Sequence, residues 1–303
     1  MIKIFRYLIF LNLILAISIT IYNFFQPKDN FIYIGNQNSL ANVLSSSLNK
    51  DINILILGKS GLGYIGGENT DTIMLLHLEN NKIFLISIPR DLLVEVNGYL
   101  IKINSLFYDD KELLFQKIEE LTGLKIDGYL VIDLHLIKKV IDFIGGVDIY
   151  IKEPIVDAAS LFTLKPGYYH LTSEWTEFFL RSRYAPDGDF SRIRHHHQFI
   201  LALRNKIEAL PKKDLIGLFA LIQKEKSHWE TNLNLIDLYK LWSIIKDIKE
   251  IHSIILDLKT KFFESGYFET KQGFVYGILV KKDISYNIIQ NWLYNKIKNE
   301  EDY

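Results

Sequence analysis

Asp51-Ile52-Asn53-Ile54-Leu55-Ile56-Leu57 opens on a charged residue and then runs through branched apolar side chains at nearly every position. A strand with one face in water alternates apolar and polar residues; a strand covered on both faces has no such need. Residues 52–57 are therefore read as a buried strand of an α/β sheet. Two more strands are expected at 73–78 and 82–88, separated by the turn-like Glu79-Asn80-Asn81.

Toward the C-terminus the period changes. Helical spacing of apolar residues appears at 111–121 and at 134–144, where Gly145-Gly146 ends it in the manner of a C-cap, and 147–151 returns to strand. A helix is expected near Thr172, whose hydroxyl can cap it, with Glu174 in the first turn. Another starts just after Asp189, taken as its N-cap, and runs through Ala209 to the stop at Pro211. Helices at 214–226 and 235–247 precede strands at 251–258 and 273–280, and a terminal helix is expected at 282–297. This alternation predicts an α/β sandwich with a central mixed sheet. No composition break divides residues 51–297.

Toward the N-terminus the chain turns polar and then strongly apolar. Residues 26–50, with Asn36-Gln37-Asn38-Ser39 and Ser45-Ser46-Ser47, read as a stalk. Tyr7 to Phe25 is a run of 19 residues without a charged side chain. As a helix it would be about 28 Å long, close to the thickness of a bilayer's hydrocarbon core. Lys3 and Arg6 before it favour a cytoplasmic amino terminus. A cleaved signal peptide would have a shorter apolar core and a small-x-small site, which Gln26-Pro27-Lys28-Asp29 does not supply. The expected organisation is a cytoplasmic tail and transmembrane anchor over 1–25, a stalk over 26–50, and an extracytoplasmic domain over 51–303. The expected location is the cytoplasmic membrane, single-pass, with the N-terminus inside.

The chain has 303 residues, 49% hydrophobic and 23% charged, with 35 basic against 36 acidic side chains. That much apolar material excludes a disordered chain. The even charge argues against a nucleic-acid partner, which calls for a phosphate-neutralising excess. With no cysteine, disulfides, thiolate catalysis and cysteine zinc sites are excluded.

Four segments carry candidate chemistry. Gly58-Lys59-Ser60 after a strand looks like the end of a P-loop, but Asn53 stands where that motif needs its first glycine, and no helix is expected next. The glycine-rich loop 58–72 ends in Asp71-Thr72 at the mouth of a strand, where a carboxylate can hold Mg²⁺; it reads equally as a surface connection. Pro89-Arg90-Asp91 follows a strand end, fit either for a bidentate phosphate contact or for a solvated ion pair. The densest group is Arg181-Ser182-Arg183 followed by Gly188-Asp189-Phe190-Ser191-Arg192-Ile193-Arg194-His195-His196-His197-Gln198. Arg192, His195 and His196 share one side of a helix whose positive end favours an anion; otherwise they form a solvated basic face. Three successive histidines point about 100° apart on a helix and cannot all bind one metal.

The order of these pieces resembles the LytR–CpsA–Psr family: NILILG, Thr70-Asp71-Thr72, SIPRD (Ser87 to Asp91), Lys102-Ile103-Asn104, IGGVDIYI (Ile144 to Ile151), Leu164-Lys165-Pro166-Gly167 with Leu171, RSR, GDFSR and Thr231-Asn232-Leu233. The resemblance covers roughly Asp51 to Lys282. It implies an α–β–α domain that binds a polyprenyl (pyro)phosphate in an apolar pocket and transfers a glycopolymer phosphate to peptidoglycan or another envelope acceptor, with Mg²⁺ or Mn²⁺.

By the same resemblance Asp71 is the metal carboxylate, Arg90 and Asp91 stand at the diphosphate, and Arg181, Arg183 and Arg192 bind phosphate. Lys102, Asn104, His195 and His196 join them as substrate-binding candidates. Three positions depart from the pattern. Ser60 replaces a second Asp and weakens the expected Mg²⁺ site, Asn69 replaces an arginine, and His195-His196 replaces an arginine-glutamine pair. Those departures favour an alternative, a polyprenyl-phosphate-binding envelope protein with weak or no catalysis. Transcriptional regulation, an older label on the family, sits poorly with an anchor that leaves about six residues in the cytoplasm.

Overall fold

A computed structural model describes residues 51–157, 162–182, 188–271 and 273–299. The expected anchor and stalk, and Arg183, lie outside them. Among the described residues no helix is long and apolar enough to cross a membrane.

The first three strands, β1 (Ile52–Lys59), β2 (Thr70–Glu79) and β3 (Lys82–Ile88), form an antiparallel meander. The hairpin of β4 (Leu93–Val96) and β5 (Tyr99–Lys102) leads to helices α1 (Leu106–Asp109) and α2 (Lys111–Thr122). Strand β6 (Gly128–Asp133), helix α3 (Leu134–Ile144) and strand β7 (Val147–Ile151) follow. Next come the short pair β8 (Ile155–Asp157) and β9 (Phe162–Leu164), then β10 (Gly167–Leu171) and helices α4 (Ser173–Arg181), α5 (Asp189–Glu208) and α6 (Lys212–Lys224). Strand β11 (Trp229–Thr231), helix α7 (Leu235–Ile245), β12 (Ile251–Ile255), the hairpin β13 (Phe263–Thr270) and β14 (Gly273–Val280), and α8 (Tyr286–Asn299) complete the described chain.

Six strands make the central sheet in the order β11-β6-β1-β2-β3-β12. It is mixed, as expected: β1 runs parallel to β6 and β3 parallel to β12, and the other neighbours are antiparallel. The apolar run of β1 is explained by cover on both faces. Leu55, Leu57, Ile73, Leu75, Phe84 and Ile86 share one core with Leu114 and Ile118 of α2 and Leu293 of α8. The alternate residues Ile52, Ile54, Met74 and Leu85 face the other way, onto Leu241 of α7. Each fully buried Leu or Ile contributes about 1.5–3 kcal/mol, so this period-2 division fixes the register of the meander. A third core lies between α3, β7 and helices α4 to α6, around Ile141, Val147, Phe179, Phe199 and Leu218.

Helix α3 and β7 lie where the sequence puts them. The Asp133 carboxylate accepts from the Leu136 amide at 3.0 Å to start α3, and Gly145 ends it in the left-handed conformation, φ 73°. Other expectations need correction. Asp189 is the first helical residue of α5; Gly188, at φ 57°, is the N-cap, and Thr172 makes no side-chain cap to α4. The strand expected over 251–258 stops at Ile255, and the terminal helix begins at Tyr286, four residues late. The loop expected over 58–72 shrinks to residues 60–69, because β1 continues through Lys59 and β2 starts at Thr70. No helix follows β1, in keeping with the rejected P-loop. Strand β6, beside β1 in the sheet, has no counterpart in the sequence reading.

Candidate active site

The end of β1, the start of β2 and the end of β3 lie at one edge of the meander, where Gly58 pairs Thr72 and Ile73 pairs Ile88. Chemistry in α/β sheets gathers at such strand ends. Ser60, Asp71, Arg90 and Asp91 all fall there, and the first turn of α5 adds Asp189 and Arg192.

These side chains form a chain of charge. The Ser60 hydroxyl donates to Asp71 Oδ2 at 2.5 Å, and the other Asp71 oxygen takes a short hydrogen bond from Arg90 Nη1. Arg90 Nε lies 3.4 Å from Asp189 Oδ1 and 3.7 Å from Asp91 Oδ2. Arg192 Nη2 pairs with Asp189 at 2.6 Å and also donates to the Asp71 carbonyl at 3.0 Å. Lys102 Nζ closes the group on Asp91 at 2.7 Å. Three carboxylates thus meet two guanidiniums and an ammonium, a formally neutral group. Arg192 is 2% exposed, so its charge is tolerable only because Asp71 and Asp189 hold it. Asn104 is buried beside this edge, its carbonyl accepting from the Thr70 hydroxyl at 3.2 Å.

A cavity of about 480 Å³ opens on this group, its lining including the charged Arg90, Asp91, Asp189, Asp257 and Lys259 and the apolar or aromatic Phe190, Leu258, Tyr276 and Ile278. A second cavity, about 420 Å³, is lined by Ser60, Gly61, Tyr64 and Lys138. Asp71 links the two, bonded to Ser60 on one side and Arg90 on the other. The loop between them closes on itself, Gly61 N donating to Gly67 O at 2.9 Å and Gly67 N to Tyr64 O at 3.0 Å. A Cβ on Gly67 would stand 1.9 Å from the Gly61 oxygen, so only glycine fits.

Arg181 does not join Arg90 and Arg192. It ends α4, lies over the Tyr64 ring at 4.3 Å and pairs with Glu177 at 3.3 Å. Tyr64 and Lys138 donate to the same Glu177 carboxylate at 2.7 and 2.8 Å. Burial pushes the Glu177 carboxyl up, but those two hydrogen bonds outweigh it and hold it below its ordinary range. Burial and the Glu177 hydrogen bond raise the Tyr64 phenol.

The histidines are corrected most. The solvated basic face fails for His196, which is buried with Nδ1 on the Thr72 hydroxyl and Nε2 on the Leu180 carbonyl, both at 2.9 Å. Burial, with Arg192 nearby, lowers its pKa to about 3. His196 is thus a neutral brace between β2 and α4, with neither ring nitrogen offered to a head group. His197 lies between Ser87 of β3 and Ser253 of β12, and burial lowers its pKa to about 4. His195 packs its ring on Phe179, centroids 4.7 Å apart.

Asp71 Oδ2 and Ser60 Oγ place two hard oxygens side by side. That donor set fits Mg²⁺, which keeps most of its waters and takes one or two carboxylates plus substrate phosphates. Sequence reasoning missed Asp189 as the carboxylate shared by both arginines, and Tyr64, Glu177 and Lys138 altogether. No spacing rule points to the last three, which come from a loop and two helices.

The sequence pattern of the LytR_cpsA_psr family matches residues 24–284. The chain is 35% identical over 144 residues to the probable cell wall biosynthesis protein LcpB of Corynebacterium glutamicum, covering 46% of this chain and 35% of that protein. It is 25% identical over 215 residues to the polyisoprenyl-teichoic acid–peptidoglycan teichoic acid transferase TagV of Bacillus subtilis, covering 66% of this chain and 54% of that one. The chain thus spans about a third to a half of the length of these curated relatives. The crystal structure of B. subtilis TagV superposes with a TM-score of 0.60 at 20% identity, over 82% of this chain and 98% of that one. The Lin1025 protein of Listeria innocua superposes at 0.61 with 21% identity, over 82% and 98%. At these identities the superpositions establish a shared fold.

Proposed function

The chain belongs to the LytR–CpsA–Psr family, and on that premise we propose that it is a cell-envelope transferase. It would move a glycopolymer phosphate from a polyprenyl diphosphate carrier to an acceptor such as peptidoglycan. The names of LcpB and TagV support an envelope glycopolymer reaction. The observation that carries the reading is the convergence of Arg90 and Arg192 on Asp71 and Asp189 beside a cavity that Arg90 and Asp189 line together with Phe190 and Ile278.

An acceptor hydroxyl attacks the sugar-proximal phosphorus. The new P–O bond forms as the bond to polyprenyl phosphate breaks; the electron pair leaves with that phosphate, which takes up the acceptor hydroxyl's proton directly or through water. Phosphoryl transfer asks a protein mainly for position and charge neutralisation. Arg90, at the cavity mouth, grips the diphosphate bidentately. Arg192 holds Asp71 and Asp189 beneath it, so that Arg90 is aimed before substrate arrives. Asp71 and Ser60 would hold Mg²⁺, which when bound neutralises phosphate charge. Residues 7–25 would anchor the chain in the cytoplasmic membrane with the domain outside.

Incubation of the full chain in detergent with a polyprenyl-diphosphate saccharide and a peptidoglycan acceptor tests this. Removing one electrostatic donor of this kind costs about 10²–10³ in kcat, so Arg90→Ala should abolish most product. Tight lipid binding without turnover under Mg²⁺ or Mn²⁺ would replace the transferase by the carrier reading, and neither binding nor turnover would overturn both. A reporter fused after Tyr303 that works only in the cytoplasm would overturn the topology.

A further inference from the structure

We propose that His135, Glu225 and His228 form a binding site for a divalent first-row metal ion of the zinc type, separate from the Asp71 group and independent of the transferase reading. One ligand atom from each of the three lies within 4.8 Å of the other two. His135 Nε2 and Glu225 Oε2 are already 3.4 Å apart. Metal bonds of 2.0–2.1 Å in a tetrahedron put neighbouring ligand atoms roughly 3.3 Å apart, so this pair needs almost no adjustment. The rings of His135 and His228 stack at 4.0 Å between centroids, so a shared ion requires one ring to turn until its nitrogen converges on the other's.

The surroundings are those of a metal-binding imidazole. A ligating histidine commonly gives its other nitrogen to a carboxylate, which sets ring orientation and tautomer. His228 Nδ1 lies 2.6 Å from Asp133 Oδ2, which leaves Nε2 for the metal. Asp133 is itself fixed, because its other oxygen caps α3 through the Leu136 amide at 3.0 Å. The backbone holds the remaining ligands near: His135 is in the first turn of α3, and the His228 amide donates to the Glu225 carbonyl at 2.9 Å just past α6. Two imidazoles and one carboxylate suit zinc better than magnesium or calcium, which prefer all-oxygen shells. Three protein ligands leave a fourth position open. Asp133, His135 and His228 line the 420 Å³ cavity that Ser60 and Lys138 also line, so a ligand at that position would lie in the cavity next to the charged group.

The test uses the untagged full chain, stripped with a chelator and titrated with ZnCl₂ and, separately, MgCl₂. Zinc should bind one per chain in calorimetry and, at about 100-fold excess over its Kd, raise the melting midpoint by roughly 5 °C or more; magnesium should not compete. His135→Ala, at a half-exposed position that leaves the fold intact, and Glu225→Gln should each weaken zinc binding at least tenfold. Asp133→Asn should weaken it by about 10–100-fold. His170→Ala, at the exposed pair with Asp148, should change nothing. No stoichiometric zinc, or zinc binding unaltered in both His135→Ala and Glu225→Gln, would overturn the proposal.

Discussion

Beside Ser60, at the start of the 60–69 loop, the side chain of Arg192 is 2% exposed and that of Asp189 is 15%; beside Tyr64, near the middle of the loop, Arg181 is 44% exposed and Lys138 is 35%. Both groups pair arginine with carboxylate, yet the pairs do different work. In the dry group Arg192 and Asp189 have been taken from water and depend on their partners, so their geometry is set before any ligand arrives. In the wet group the ions are screened, each pair contributes little, and Arg181 can leave Glu177 at small cost. A site that must aim one cation and let another move would be built this way.

The comparison is broken most forcefully at Arg192. Arg192→Ala takes a buried guanidinium away from Asp189 and Asp71, and loss of one partner from a buried pair costs about 3–5 kcal/mol. A fall in melting midpoint of roughly 10 °C is expected by calorimetry. Arg192→Lys should recover part of that stability but little turnover, because an ammonium cannot bridge two carboxylates with a planar fork. If Arg192→Ala melts like the parent, the dry group does not depend on its buried arginine.

Acid tests the same side of the molecule. His196 and His197 are neutral in the fold with pKa values of about 3 and about 4, against an ordinary 6.5, and burial lowers His77 as well. The unfolded chain therefore takes up protons below pH 6.5 that the fold refuses, so stability falls with pH from about 6.5 toward 4. His197 alone implies a loss on the order of 3 kcal/mol by pH 4. Urea midpoints between pH 7 and 4.5 should show this slope, and His197→Gln should flatten it. A midpoint constant over that range would mean that these rings carry charge in the fold.

Much of the sheet could be read from the chain because its cause is local. The β1 run is continuous because two cores cover it, and α3 has both its Asp133 start and its Gly145 stop within the sequence. Strand β6 escaped since its 6 residues lie between two helices and Asp133 serves both strand end and helix cap. At the site, Arg90 follows a strand end and Asp71 stands at a strand start, and both are legible in the sequence. Asp189 was visible as a residue but not as a hub, because its role depends on Arg90, some 100 positions earlier in the chain. The histidine run misled for a similar reason: a three-residue motif says nothing of Thr72, Ser87 or Ser253, which bury it.

The smallest expected effect sharpens the comparison furthest. Arg181→Ala removes a pair with Glu177 and a contact over the Tyr64 ring, each worth at most about 1 kcal/mol at an exposed position. The melting midpoint should move by no more than roughly 4 °C. Turnover should change through KM and grow more sensitive to salt, since a screened cation steers substrate more than it stabilises a transition state. Suppose instead that Arg181→Ala lowers kcat as far as Arg90→Ala does. Arg181 would then have to reach the reacting phosphate, and its tether to Tyr64 and Glu177 would have to open as substrate binds. The 60–69 loop, which carries Ser60 at one end and Tyr64 near its middle, would be the element that moves, and the two charge groups would be halves of one closing site.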